Sequence, residues 1–309
     1  MNEGTSPAIP GLHHVTAISG PPQDNLDFWV RTLGQRLVKR TVNFDDPGTY
    51  HLYYGDKDAA PGSIMTFFPF VDAGPGRAGP GMASAVAYAV PDLDRRMGEF
   101  AEAAIEFDGP FERFGERAIA VKDPDGLRVE LIEGGARDEG FHSVTLWLEE
   151  IASTAAVLEA MGYVREAEEA AGSGGTGGAE TRIRYRSTEP ERGSAVDLMT
   201  SAARSIGRSG AGTIHHVAFR ARSQEEQLAW RERLSAAGQQ VTPVIDRQYF
   251  DAIYFRTPGG VLFEIASDPP GFAVDEDPAH LGEALKLPEK FEPHRAQIEQ
   301  VLPQIRVPS

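Results

Sequence analysis

The sequence contains no cysteine, which excludes disulfides, thiolate nucleophiles and zinc–cysteine sites together. Positive charge is scarce: 30 Lys and Arg face 46 Asp and Glu, for a formal net charge of −16. A surface this acidic repels phosphate and argues against nucleic acid or an anionic membrane as partner. Long apolar runs are missing too, since none approaches the ~18 residues that a spanning helix needs. Met1 to Pro10 is polar and shows no secretory signal, so a cytoplasmic location is expected. No G-x-S-x-G elbow supports a Ser-His-Asp nucleophile. What is present, 41% hydrophobic and 25% charged residues in a chain of 309, fits a soluble globular protein of two domains or of repeats.

Repeats are there. Gly11-Leu12-His13-His14-Val15 returns as Thr213-Ile214-His215-His216-Val217, followed by the apolar strand Val261-Leu262-Phe263-Glu264-Ile265 with one carboxylate inside it. Two histidine doublets and a strand-borne glutamate are the raw material of a 2-His-1-carboxylate site, which suits non-haem Fe(II). Four segments each read as a strand, a helix and several short strands: 11–70, 83–134, 139–200 and 213–267, with a tail over 268–309. The spacing of Leu26, Trp29, Val30 and Leu33 predicts a first helix capped by Asp24 or Asn25. Ser223 with Glu226 reads as a capping box for the fourth. Gly172 to Gly178 reads as a flexible loop, and Pro293 to Leu302 as a helix in the tail that braces or covers the body.

Aligning the copies by their shared valine gives His14-Val15, Ala85-Val86, Ser143-Val144 and His216-Val217. The closing strands then match Thr66, Glu130, Asp197 and Glu264. The repeat itself does not require histidine, since the inner copies hold alanine and serine. Neighbouring strand residues face opposite ways, so one member of each doublet is available to an ion. Periodicity leaves open which face lines a cup; the substitution pattern favours the second histidine. By that period His14 shares a face with Leu12, Thr16 and Ile18. An ionised Glu264 among Leu, Phe, Ile and Ala is costly to bury unless it is paired or bound to a cation. Glu130 and Asp197 are expected in structural ion pairs, His51 in packing or a hydrogen bond, His142 in a structural role, and His280 and His294 in solvent.

Several stretches resemble one family: Leu12-His13-His14-Val15-Thr16, Gly34-Gln35-Arg36-Leu37-Val38-Lys39-Arg40-Thr41, Tyr50-His51-Leu52-Tyr53, Asp246-Arg247-Gln248-Tyr249-Phe250, and Ile253 through Ile265. They look like the vicinal oxygen chelate (glyoxalase/dioxygenase) superfamily, in its ring-cleaving branch that acts on hydroquinones. The resemblance implies an α+β fold of four βαβββ modules in two open, cup-shaped mixed sheets with a C-terminal helical tail, modules one and four pairing around the metal. It implies Fe(II), or Mn(II), held by His14, His216 and Glu264, with Tyr254, Arg247, His215, His13 and Thr16 in supporting catalytic roles. The expected activity is extradiol-type ring cleavage of hydroquinone-like or catechol-like aromatics with O2. The expected partners are a small aromatic substrate and O2, not nucleic acid or membrane, with a homodimer as one assembly open to the chain. A glyoxalase-like isomerase or lyase and a metal-free resistance-type binding protein are the alternatives.

Overall fold

The computed structural model describes residues 8–134, 140–171, 180–202 and 205–307, so the glycine-rich run 172–178 lies outside the described residues. In chain order the first segment gives β1 (Leu12–Ser19), α1 (Pro22–Asp27), a π-helical turn (Phe28–Thr32), β2 (Arg36–Val42), β3 (Tyr50–Gly55) and β4 (Ile64–Pro69). The second gives β5 (Met82–Val90), α2 (Leu93–Glu102), β6 (Asp108–Arg113), β7 (Glu116–Lys122) and β8 (Arg128–Glu133). The third gives β9 (Phe141–Trp147), α3 (Ala152–Ala160), β10 (Tyr163–Ala171), β11 (Glu180–Ser187) and β12 (Ala195–Ser201). The fourth gives β13 (Thr213–Ala221), α4 (Gln224–Ala236), β14 (Ile245–Asp246), β15 (Phe250–Arg256) and β16 (Leu262–Pro270), and α5 (Arg295–Val301) lies in the tail. No helix among the described residues is long and apolar enough to cross a membrane.

The strands form two open, curled, mixed sheets of eight, ordered β14-β15-β16-β13-β1-β4-β3-β2 and β10-β11-β12-β9-β5-β8-β7-β6. The two orders are equivalent. A central antiparallel pair, β1 with β13 and β5 with β9, is flanked on each side by a parallel partner. The valines used to align the copies meet across those pairs, Val15 opposite Val217 and Val86 opposite Val144. All four are fully buried in the one large core that both sheets share with Trp29 and Trp230. The opposite face of each central strand is therefore free to line a cup.

Local structure follows local chemistry, with two departures. Ser223 caps α4 by accepting from the Glu226 backbone N–H at 3.2 Å, and Trp230 and Leu234 form its buried face. Burying one such side chain contributes roughly 3 kcal/mol. The first helix differs from expectation. Neither Asp24 nor Asn25 caps α1, which begins after Pro21 with no side-chain cap. Asn25 is buried and accepts from the Tyr54 hydroxyl at 2.9 Å, so its oxygen serves the core. The next turn is π-helical, with Leu33 N–H reaching the Phe28 carbonyl at 3.1 Å, and it widens the spacing enough to seat Trp29 against Phe67. The tail helix is also shorter than expected. A 3-10 run over Glu289–His294 contains Pro293, and the α-helix starts only at Arg295.

The second sheet carries ion pairs at the aligned positions. Glu130 is paired with Arg113 and Arg128, and Asp197 with Arg184, which also reaches Glu116 at 2.5 Å. His142 contacts Glu116 at 3.2 Å. Burial would raise the Glu116 carboxyl, but His142 and Arg184 outweigh it and hold the group at about 2, below the ordinary 4.5. A depressed carboxyl contributes stability above its ordinary value and loses it as pH falls toward the native one. Glu116→Gln is therefore expected to cost on the order of 1 kcal/mol at neutral pH, screened by partial exposure. Urea denaturation should show that difference closing as pH falls from 4.5 toward 2.

Candidate metal centre

His14 on β1, His216 on β13 and Glu264 on β16 converge, because three adjacent strands deliver them around one small residue. Ala218 pairs with His14 on one side and with Glu264 on the other, while His216 lies two residues before it on the same strand face. The alanine leaves the space into which the three side chains lean. His14 Nε2 lies 3.4 Å from His216 Nε2 and 3.4 Å from Glu264 Oε2, and His216 Nε2 lies 2.9 Å from Glu264 Oε2. Three donors held ~2.1 Å from a common ion at right angles would stand ~3 Å apart. Among the described residues, this is the one group of three such side chains close enough to hold a metal.

The surroundings favour an ion over an ordinary polar cluster. Glu264 is fully buried, and neither of its carboxylate oxygens has a hydrogen-bond partner. Burial pushes its carboxyl up, yet the imidazoles of His14 and His216 prevail and hold it well below the usual range. Burial in turn lowers His216, only partly offset by Glu264. An ionised carboxylate beside the His216 imidazole, which burial drives toward neutrality, sets lone pairs facing one another, and a cation relieves them.

The doublets depart from the simple strand rule. In the β1–β13 pairing one residue is unmatched on each strand, His13 between Leu12 and His14, and His215 between Ile214 and His216. These are β-bulges, which re-aim side chains next to functional sites. Each bulged histidine lies beside its neighbour instead of opposite it, with Nδ1 to Nδ1 distances of 3.0 Å for His13–His14 and 2.8 Å for His215–His216. The bulge also takes Leu12 into the core, so His14 shares the cavity face with Thr16 and Ile18 but not with Leu12. The second sheet bulges at the same places, Ser84 and His142.

A cavity of about 520 Å³ opens on the three donors. Thr16, His215, Arg247 and Tyr254 line it, whereas His13 is buried behind His14. Arg247 Nε donates to the Tyr254 hydroxyl at 3.1 Å, and an Arg247 amino group faces Asp45 at 3.4 Å. Burial and Glu264 raise the Tyr254 phenol, against the pull of Arg247. Burial and His216 lower His215 to about 4. Aromatic walls come from Phe44, Phe68, Phe70 and Phe250, the last packed on both His13 and His14.

Sequence reasoning undervalued His51 and Tyr53. Both line the cavity, and a hydrogen-bonded chain runs from Tyr53 through His51 and Thr66 to Thr16, at 2.8, 2.7 and 3.1 Å. The signal was the alternation in Tyr50-His51-Leu52-Tyr53-Tyr54, where Tyr50, Leu52 and Tyr54 enter the core and His51 and Tyr53 face the cup. His280 is exposed beside Glu283, and His294 is exposed in the tail.

Comparison with known proteins agrees with this fold. The family model described as Glyoxalase/Bleomycin resistance protein/Dioxygenase superfamily matches residues 11–131 and 159–265. "Putative ring-cleaving dioxygenase MhqO" of Bacillus subtilis strain 168 is 45% identical, with 94% of this chain and 95% of that protein covered. "Chlorohydroquinone/hydroquinone 1,2-dioxygenase" of Sphingobium indicum is 34% identical, with 92% and 93% covered. A crystal structure titled "putative dioxygenase" from Bacillus subtilis superimposes with a TM-score of 0.89 at 43% identity, covering 98% of this chain and all of that one (100%). Glyoxalase I from Zea mays, at 13% identity and a TM-score of 0.64 over 84% of this chain and 92% of that one, shares the fold alone.

Proposed function

The chain belongs to the Glyoxalase/Bleomycin resistance protein/Dioxygenase superfamily, and on that premise we propose that it is an Fe(II)-dependent, extradiol-type dioxygenase that opens the ring of hydroquinone-like aromatics with O2. The observation that carries this reading is the buried His14–His216–Glu264 triangle, its carboxylate facing both imidazoles, at the floor of an aromatic-walled cavity. Its similarity to proteins named as ring-cleaving dioxygenases, one of them for hydroquinones, supports the substrate class. Held by His14, His216 and Glu264, a divalent iron would supply electrons to O2 and open positions for a phenolate and for the gas.

The chain's own residues do the rest. A histidine that presents its Nε2 lone pair carries its proton on Nδ1, so His14 and His216 would donate to His13 and His215 and be fixed in that tautomer. Arg247, always charged, would hold the ring oxygen as an anion. His215, neutral at physiological pH and with its Nδ1 accepting from His216, would present its Nε2–H to the cavity as a hydrogen-bond donor to the substrate, whose phenolic proton passes to solvent. Tyr254, kept protonated by burial, would return a proton as the ring opens beside the hydroxyl-bearing carbon. Thr16, at the end of the His51–Thr66 chain, would orient the substrate from the far wall. The phenylalanine walls exclude water and stack on the ring.

Metal analysis of anaerobically prepared protein, followed by an oxygen-electrode screen of hydroquinones and catechols, tests the proposal. Stoichiometric iron with one O2 consumed per ring opened is the expected result, and stoichiometric manganese would name the other ion. Turnover without oxygen would instead indicate an isomerase or lyase, and iron-loaded protein that consumes no O2 with any diol would overturn the reading. Tyr254→Phe is expected to lower kcat by about 10²-fold or more. Its KM for the hydroquinone should change little, because Arg247 keeps the substrate oxygen in place; steady-state kinetics checks this.

A further inference from the structure

The sheet that carries the triangle is open, with β14 at one edge and β2 at the other. Free edges expose unpaired backbone and leave a curled sheet able to splay. The tail that follows β16 crosses between them. On the β2 side its backbone meets Arg40, with Lys286 N–H donating to the Arg40 carbonyl at 2.9 Å, and Arg36 donates to the Pro278 carbonyl at 3.0 Å. At the β14 edge, Gly271 N–H donates to the Tyr249 carbonyl at 2.9 Å, and the rings of Tyr249 and Phe272 stack.

One carboxylate joins both edges. Asp275 Oδ1 accepts from Lys39 Nζ on β2 at 2.6 Å. Asp275 Oδ2 accepts from Gln248 Nε2 at 2.9 Å and from the Tyr249 hydroxyl at 3.1 Å, both in the turn between β14 and β15. Lys39 is fully buried, so its charge demands a partner, and Glu276 supplies a second at 2.5 Å. The turn is itself constrained. Gln248 adopts a left-handed φ of 67°, its N–H donates to Asp246 Oδ1 at 2.6 Å, and Tyr249 N–H donates to the Arg247 carbonyl at 2.8 Å. Arg247 therefore projects into the cavity from a turn whose next two side chains are tied to Asp275. The direct link from Arg247 to Asp45 ends on an 80% exposed carboxylate and contributes little.

We propose that Asp275 is a positioning residue: its carboxylate clasps the two edges of the sheet and thereby holds the Arg247 turn over the substrate cavity. The effect on substrate rests on the function proposed above; the effect on the turn does not. The metal donors lie on the inner strands β1, β13 and β16, away from the clasp, so it should act on the substrate and spare the ion.

Hydrogen exchange on the full chain reads the turn without substrate. Asp275→Asn is expected to speed exchange of the Arg247 and Tyr249 amides by about tenfold, with β1 and β13 unchanged. Anaerobic titration of the Mn(II)-loaded protein with hydroquinone should show affinity about tenfold weaker, with Mn(II) affinity within about twofold of the native value. Because the clasp acts through Arg247, adding Asp275→Asn to Arg247→Ala should lose nothing more, a non-additivity that a general loosening would not give. Gln248→Ala, which leaves Lys39 paired with both carboxylates, should reproduce the effect at smaller size and serves if Asp275→Asn does not fold. Unchanged exchange in the turn, additive losses with Arg247→Ala, or a parallel fall in Mn(II) affinity would overturn the clasp. If native protein binds no hydroquinone, the proposed function fails while the exchange result still judges the clasp.

Discussion

Glu264→Gln is expected to lose stoichiometric metal and, with it, O2 uptake, by well over the ~100-fold typical of removing even an outer partner of a ligand. Stability should fall as well. Glu264 is fully buried, and the imidazoles of His14 and His216 hold its carboxyl well below the usual range, so its charge contributes stability at neutral pH that a neutral amide of the same shape lacks. With ion present the gap widens. Saturation at about a thousand times Kd stabilises a native state by ~4 kcal/mol, and only the native sequence can gain it. Thermal denaturation of both proteins, with and without Mn(II) under nitrogen, checks the widening. Melting curves that Mn(II) shifts equally in both would show that Glu264 holds no ion. A larger residue in place of Ala218, which pairs with His14 on one side and Glu264 on the other, should also lose the metal, with a further overpacking cost of ~1–3 kcal/mol.

That triangle was legible because valine gave the four copies a common register. Val15, Val86, Val144 and Val217 meet across the central strand pairs, which places Thr66, Glu130, Asp197 and Glu264 at equivalent positions in the two sheets. The four strand–helix–strand segments followed from the same repeat, and their pairing into two open sheets from the family resemblance. What escaped the sequence depends on partners far along the chain. A period of two puts His13 and His215 behind the strand, but the register shifts that bring them beside His14 and His216 arise only when β1 meets β13, where His14 and His216 are 202 residues apart in sequence. Asn25 has the chemistry of a cap, and Tyr54, 29 residues on, takes its oxygen instead. Lys39 reads as one more charge in a strand until Asp275, 236 residues later, arrives to neutralise it.

Arg184→Met is expected to destabilise the protein by ~3–5 kcal/mol, the usual cost of stranding one member of a buried ion pair. Arg184 holds Asp197 through two nearly parallel hydrogen bonds of 2.7 and 3.0 Å, and both side chains are only 2% exposed. Without Arg184, the next cation is Arg182, 4.0 Å from Asp197 and already donating to Thr145. Arg184→Met with Asp197→Leu should recover most of the loss, because removing both charges replaces the pair with apolar volume. Urea denaturation of the single and double variants measures both, and a single variant within about 1 kcal/mol of native would mean that solvent reaches Asp197. The comparison bears on why one sheet carries a metal candidate and the other does not. Asp197 occupies the register position of Glu264, but Ser143 and Ala85 stand where His216 and His14 stand, so a carboxylate there has guanidinium as its available counter-charge. Stripping Arg184 should therefore leave a bare acid and no ion site. The melting temperature of Arg184→Met is expected to respond to Mn(II) no more than that of the native protein, through the first sheet alone.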